Sequence, residues 1–401
     1  MSRPRVLLVT TYYHPVVGGV EIHARQLVQY LHAHGFGIEV VTKRVGTDQE
    51  REAVIDGVRV HRVGPAGERR ASGKWVILPW LLTEIVRRSA RFDALVAVDY
   101  RGIGVAAIAA GRLLRRPVIV QGEVAGVLAG ADEASTSGLP PEGIITRCLK
   151  APARAIYRRA DRVVCIGRDL EREALRAGIP RERVEYLPHG IDLERFRPPQ
   201  PGERERLRGE LGWPASATIV LFVGRLSAEK GVMDLVEAWR QIDRRNAMLV
   251  LVGPDMTGHR WDAGGPARAY VAEHALTDSV RFEGYASDPS RFCRAADLFV
   301  QPSHFEALGN TALEAMASGL PVVASGVGGL ADFCVDGENA LVHEPHSPTS
   351  LAQAIARLLA DRALAARLAA AGRRTVEERF ELNGLLGRYA QLIESVARDR
   401  R

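Results

Sequence analysis

Two glutamates, Glu306 and Glu314, stand eight residues apart in the stretch SHFEALGNTALEAMASGLPVVAS, residues 303–325. Gly309, Asn310 and Thr311 precede an Ala, Leu, Glu and Met run of high helix propensity, and Gly319 with Pro321 stops it. The pattern predicts a helix over about residues 310–318. Its N-terminus offers unpaired N–H groups and the positive end of the helix dipole, which together suit a diphosphate. Asn310 and Glu314 share a face of that helix, while Glu306 sits in the loop before it. One carboxylate can then accept hydrogen bonds from the vicinal hydroxyls of a ribose, and the other from those of a sugar beyond the phosphates. Taken alone, the pair is also what a solvated helix face carries.

A second set of residues upstream changes that balance. Ile219 to Val223 is a short branched apolar run that reads as a buried strand, and it ends in Gly224-Arg225-Leu226-Ser227-Ala228-Glu229-Lys230-Gly231. Leu235, Trp239 and Ile242 then recur at helical spacing, so Arg225 and Lys230 flank a strand-to-helix loop. In an open parallel sheet such a loop lies at the carboxyl edge, where ligands bind, and two cations there can neutralise a pyrophosphate.

Together these segments resemble the retaining glycosyltransferases of family 4, glycosyl transferase group 1. The opening VLLVTTYYHPVVGGVEIHARQLVQYLHAHGFGIEVVTK is similar to that family's first strand, glycine loop and helix. YLPHGIDLERFRP is similar to its interdomain segment, usually written with Pro-Asn-Gly. The resemblance implies the α/β GT-B fold: two facing Rossmann-like domains with parallel sheets and a C-terminal crossover helix. The implied domains are 1–197 on the acceptor side, 198–379 binding the nucleotide sugar, and a helix over 380–401 that packs back on the first domain.

Carried over residue by residue, the resemblance has Arg225 and Lys230 holding the donor diphosphate, Glu314 the ribose and Glu306 the donor sugar. Gly309, Asn310 and Thr311 would contact sugar and phosphate, and Gly18 and Gly19 would let the first loop approach the diphosphate closely. Without the family, that glycine pair reads as a flexible turn. Many members carry a histidine after the strand that matches VIV here, where this chain reads Gln121-Gly122-Glu123. Either Gln121 or Glu123 takes over that contact, and Glu123 could bind the sugar, orient the acceptor or cap a helix. His14, His189 and His304 read as loop or packing histidines.

The implied reaction moves a hexosyl or N-acetylhexosaminyl group from a UDP-sugar or GDP-sugar to a glycan, lipid-linked or small-molecule acceptor. Retention follows from same-face attack, with the departing phosphate oxygen taking the acceptor's proton. No D-x-D sequence occurs, so no metal is expected on the diphosphate, and no cofactor is implied. A rival lies at Gly102 and Gly104, where G-x-G-x-x-A follows a strand and Glu123 ends the next, the pattern of an NAD-dependent enzyme. That fingerprint normally follows the first strand of its domain and leaves Arg225, Lys230, Glu306 and Glu314 unexplained. A non-catalytic nucleotide-sugar-binding protein is a third reading.

Length and composition agree with two domains, since 401 residues exceed what one hydrophobic core usually serves. No apolar run reaches the roughly 18 residues that span a bilayer. Cys148, Cys165, Cys293 and Cys334 form no metal-ligand or redox spacing, which suits the cytoplasm. Residues 1–197 carry 31 Lys and Arg against 22 Asp and Glu, whereas residues 198–401 carry 23 against 26, so the positive charge is concentrated on the acceptor side. Local concentrations lie at Arg69, Arg70 and Lys74 near Trp75 and Trp80, at Arg87, Arg88 and Arg91, and at Arg147, Lys150, Arg154, Arg158 and Arg159 among Ile144, Ile145, Leu149 and Ile156. Such faces fit an anionic membrane surface or plain solvation. No stacking aromatic platform accompanies them, so nucleic acid is not an expected partner. The Pro-rich and charged residues 196–205 are the candidate linker.

Overall fold

The apolar runs are parallel strands in a computed structural model that describes residues 3–16, 18–67, 77–99, 102–128, 151–152 and 154–399. The backbone divides into a unit of Met1–Gly190 with Asn383–Arg401 and a unit of Ile191–Leu382. In the first unit the strands are β1 (Arg5–Thr10), β2 (Gly37–Lys43), β3 (Glu52–Ile55), β4 (Val58–Val63), β5 (Ala94–Val98), β6 (Val118–Gly122), β7 (Arg162–Cys165) and β8 (Val184–Tyr186). They form one sheet in the order β3-β4-β2-β1-β5-β6-β7-β8, parallel except for the β3–β4 pair. Strands β5 and β6 are buried at every position, which is why they read as continuous apolar runs rather than as alternating ones. Helices α1 (Gly19–Ala33), α2 (Leu78–Arg87), α3 (Ile103–Leu114) and α4 (Arg168–Arg176) belong to this unit.

The second unit holds β9 (Thr218–Val223), β10 (Ala247–Val252), β11 (Val280–Gly284), β12 (Leu298–Gln301), β13 (Val322–Ser325) and β14 (Leu341–His343). Their order, β11-β10-β9-β12-β13-β14, is the doubly wound dinucleotide-binding order, with its reversal between β9 and β12. The helices are α5 (Glu203–Leu211), α6 (Val232–Gln241), α7 (Gly264–Glu273), α8 (Ser290–Ala295), α9 (Asn310–Ala317), α10 (Pro348–Ala360) and α11 (Arg362–Arg379). Trp239, Leu235, Ala267, Val271, Leu351 and Ile355 from α6, α7 and α10 form one core with Val220, Phe222 and Leu249 of the sheet. A last helix, α12 (Leu382–Arg398), lays Leu385, Tyr389 and Ile393 into the first unit.

Residues 196–205 are not a linker. Phe196 is buried, its carbonyl accepts from Arg373, Arg197 pairs with Glu203 at 2.8 Å, and α5 has already begun at Glu203. The proline and charge density reflects a tight, ion-paired turn within the second unit, and the division falls earlier, at Gly190/Ile191. The basic clusters also differ from free surface charge. Arg88 is buried between Glu39 and Glu84, and Arg154 and Arg158 donate to the carbonyls of Val127 and Ala177. Arg69, Arg70, Lys74, Trp75, Ile144, Ile145, Arg147, Cys148, Leu149 and Lys150 lie outside the described residues.

One partly buried ion pair starts the central strand of the second unit. Asp297 accepts from the Ile219 N–H at 2.7 Å and from Arg208 at 2.5 Å, and Arg208 also reaches the carbonyls of Ala295 and Ala217. Removing the guanidinium leaves Asp297 with the Ile219 N–H and with Arg204 at 3.4 Å, but takes the donor from the carbonyls of Ala295, Ala215 and Ala217. Arg208→Ala should cost about 3 kcal/mol in urea denaturation; a loss under about 1 kcal/mol would mean that these groups find other partners.

Candidate active site

The loops that leave β9 and β12 emerge side by side at the reversal of strand order. They touch through Gly231, whose φ of +67° suits glycine and whose Cβ, if present, would overlap the Pro302 carbonyl. The contact is repeated by the His304 N–H, which donates to the Glu229 carbonyl at 2.9 Å. It brings Lys230 Nζ within 2.7 and 2.5 Å of the two Glu306 oxygens, with both side chains more than four-fifths shielded from water. Arg225 pairs with Glu229 on the same loop and keeps half its side chain exposed. The two loops therefore present a shielded cation–carboxylate pair and an open guanidinium.

Helix α9 begins beside them. Gly309 precedes it at φ +99°, where a Cβ would press on Leu330, and no side chain caps the helix. Ala312, Leu313, Ala315 and Met316 are buried, while Asn310, Thr311 and Glu314 stay partly exposed. Thr311 is fixed by its hydroxyl, which donates to Gln301 Oε1 at 2.6 Å, and Gln301 in turn donates to Ser303 Oγ at 2.8 Å. Loss of water around Glu314 pushes its pKa up to about 8, with Arg195 opposing and Asp288 adding to the rise. The structure thus brings Arg225, Lys230, Glu306, Gly309, Asn310, Thr311 and Glu314 to one edge of the second unit's sheet.

In the first unit the corresponding loop follows β1 and ends in Gly18, the N-cap of α1, with Gly19 as the first helical residue. Gly18 has extended backbone, φ −174°, which any residue adopts. A Cβ there would meet only the Glu21 carboxylate, the movable end of a flexible side chain.

Gln121, next to last in the fully buried β6, and Glu123, just after it, lie in a polar cluster shielded from water. Gln121 Nε2 donates to Glu123 Oε1 at 2.6 Å and lies 3.2 Å from His189 Nε2, and Glu123 Oε2 is 3.4 Å from the same imidazole nitrogen. His23 of α1 stacks on His189 with ring centroids 4.0 Å apart and meets Gln121 Oε1 at 3.4 Å. Burial, with the neighbouring His189, drives the His23 pKa well below its ordinary value. Glu123 is therefore no helix cap, and His189 is no mere packing histidine. Sequence reasoning missed Gln301, His23 and Asp288; the two glutamines at the ends of buried apolar strands were the available signal.

Gly102 and Gly104 open α3 after β5, the fourth strand of the doubly wound order, and Glu123 is engaged by Gln121 and His189. The dinucleotide fingerprint therefore lacks both its first strand and a free acidic residue.

Residues 203–375 match the model of glycosyl transferases group 1, and residues 18–190 match that of the glycosyl transferase 4-like domain. The chain belongs to the group 1, family 4 glycosyltransferases, has the GT-B fold, and is a nucleotide-sugar glycosyltransferase. A D-inositol 3-phosphate glycosyltransferase from Xylanimonas cellulosilytica is 28% identical over 94% of this chain and 93% of its own length. A sucrose-phosphate synthase from Thermosynechococcus elongatus superposes with a TM-score of 0.83 at 27% identity, over 99% of this chain and 100% of that one. Alr3699/HepE from Anabaena, solved with UDP-glucose, shares the fold with a TM-score of 0.79 at 20% identity, covering 98% of this chain and 100% of its own.

The raised Glu314 pKa has a consequence for stability. Between its ordinary value of 4.5 and about 8, the folded chain holds a proton that the unfolded chain has lost. This group therefore subtracts stability as pH rises through that window. Glu314→Gln removes the penalty, so its melting temperature should gain on the wild type as pH goes from about 5 to about 9. A constant difference across that range would place Glu314 in ordinary solvent contact.

Proposed function

We propose that the chain is a retaining, metal-independent hexosyl- or N-acetylhexosaminyltransferase that uses a UDP-sugar, with a GDP-sugar as the second choice. The observation that carries this reading is the shielded Lys230–Glu306 pair beside the uncapped start of α9, with Arg225 open next to it. A diphosphate entering there meets two cations and a helix N-terminus, and its sugar meets a carboxylate. As the bond from the anomeric carbon to the diphosphate oxygen breaks, charge grows on the phosphate, where Arg225, Lys230 and the helix N–H groups stabilise it. The acceptor hydroxyl attacks from the same face and passes its proton to the departing phosphate oxygen. Glu306 holds the sugar's hydroxyls and the positive character that develops on the ring. Glu314 accepts from the ribose.

Glu123 and Gln121 act as positioning residues through His189 and His23, because all four are buried in one hydrogen-bonded group. The positive balance of residues 1–197 favours an anionic acceptor, either a phosphorylated small molecule or a lipid-linked glycan at an anionic membrane in the cytoplasm. The name of the inositol 3-phosphate relative supports the first of these. Among the described residues, no helix is long and apolar enough to cross a membrane.

Turnover of a panel of nucleotide sugars, with polyol phosphates and their dephosphorylated forms as acceptors, tests the assignment. Arg225→Ala and Lys230→Ala should each lower kcat/KM by about 100-fold or more, and near-wild-type turnover in both would remove the site. Glu306→Gln should lower kcat without weakening UDP binding, whereas Glu314→Gln should raise the donor KM. In the same assay, turnover should survive excess EDTA; loss restored by Mg²⁺ would overturn the metal-independent mechanism.

A further inference from the structure

Three side chains from three separate segments converge next to the Glu306 loop. Asp234 lies in the first turn of α6, His304 directly follows β12, and His346 stands in the turn between β14 and α10. One donor atom from each lies within 4.8 Å of the other two. Asp234 Oδ2 is 3.0 Å from His304 Nε2, and the His304 and His346 rings are 3.7 Å apart at their centroids. His346 holds a φ of +57°, in the left-handed region that favours glycine.

A fourth imidazole lies close by. His343, at the end of β14, is 2% exposed and near enough to Asp234 and His304 for their charges to act on it. Its Nδ1 lies 2.8 Å from the Glu344 carbonyl, an arrangement that puts the proton on Nδ1 and leaves Nε2 as a bare lone pair. That Nε2 is buried with no hydrogen-bond partner. Histidines prepared to meet a metal, or water on a metal, commonly have one ring nitrogen bonded to a backbone carbonyl in this way.

We infer that Asp234, His304 and His346 form a binding site for a first-row transition-metal dication of the zinc type. Two imidazoles and one carboxylate suit zinc and its neighbours, whereas magnesium and calcium demand more oxygen ligands. Bonds of roughly 2.0–2.2 Å to a common ion bring ligand atoms to about 3.5 Å from one another, so the side chains need to close by only about 1 Å. A bound ion would tie α6 to the β12–α9 loop and to the β14–α10 turn. The first two are the segments that carry Lys230 and Glu306 at their near ends. The ion thus acts as a structural pin beside the donor site and takes no part in bond breaking, so this inference stands apart from the proposed transfer reaction.

The test is calorimetric titration of the full chain, stripped with EDTA and desalted, with ZnCl₂ and separately with MgCl₂. One equivalent of zinc should bind and should raise the melting temperature, while magnesium should give no heat. His346→Ala should weaken zinc binding by at least about 100-fold and abolish the zinc-induced melting shift. Asp234→Asn should weaken binding similarly, and His259→Ala, an exposed histidine elsewhere in the unit, should not. Zinc binding of equal strength in wild type and His346→Ala, or no zinc binding at all, would overturn the site and leave an ordinary imidazole–carboxylate pair.

Discussion

The ion pair between Lys230 and Glu306 sets the terms for the rest of the second unit. Two opposite charges are withdrawn from most of their water, which costs several kcal/mol per ion unless they meet closely. They meet because the sheet reverses its order between β9 and β12, and because Gly231 lets one loop run against the backbone of the other. In the proposed reaction an incoming diphosphate does not find a free ammonium. It would compete with Glu306 for Lys230 and, on success, release the carboxylate toward whatever is attached to the phosphate. Binding the phosphates and freeing the group that handles the sugar would then be coupled through one ion pair.

Both sheets end a buried apolar strand in a glutamine. Gln301 closes β12 and holds Thr311 at the start of α9, and Gln121 closes β6 and holds Glu123 against His189. A buried amide needs partners for both its N–H₂ and its carbonyl, so each glutamine recruits polar side chains from the next segment and fixes them. The active edges of both sheets are thus organised by a residue that is itself out of reach of solvent.

Much of this was legible in the sequence because strands buried on both faces are written as unbroken apolar runs. Those of β1, β5, β9 and β12 are continuous, and Gly309 and Gly319 bracket α9 in the chain as they do in space. The short strands β3, β8 and β14 carry too few residues to stand out. The Pro-rich 196–205 segment misled for a different reason, since its charges are spent on Arg197–Glu203 pairing and not on solvation. The candidate donor site was readable because its residues fall in two local blocks. The cluster of Asp234, His304 and His346 was not, because no two of its members lie in one block and only the fold brings α6, the end of β12 and the turn after β14 together. The polar cluster of His23, Gln121, Glu123 and His189 was hidden in the same way.

Helix α12 has a consequence for biosynthesis. Its Tyr389 packs 6.3 Å from His23, over the buried cluster of the first unit, yet it follows the whole of the second unit in the chain. A ribosome therefore delivers the cover of the first unit only after the intervening 191–382 segment has emerged. Until then the first eight strands have their central polar group without its lid, and the nascent chain can complete its second unit before its first. The last helix of the chain is therefore the one that shields His23 and Glu123 from water.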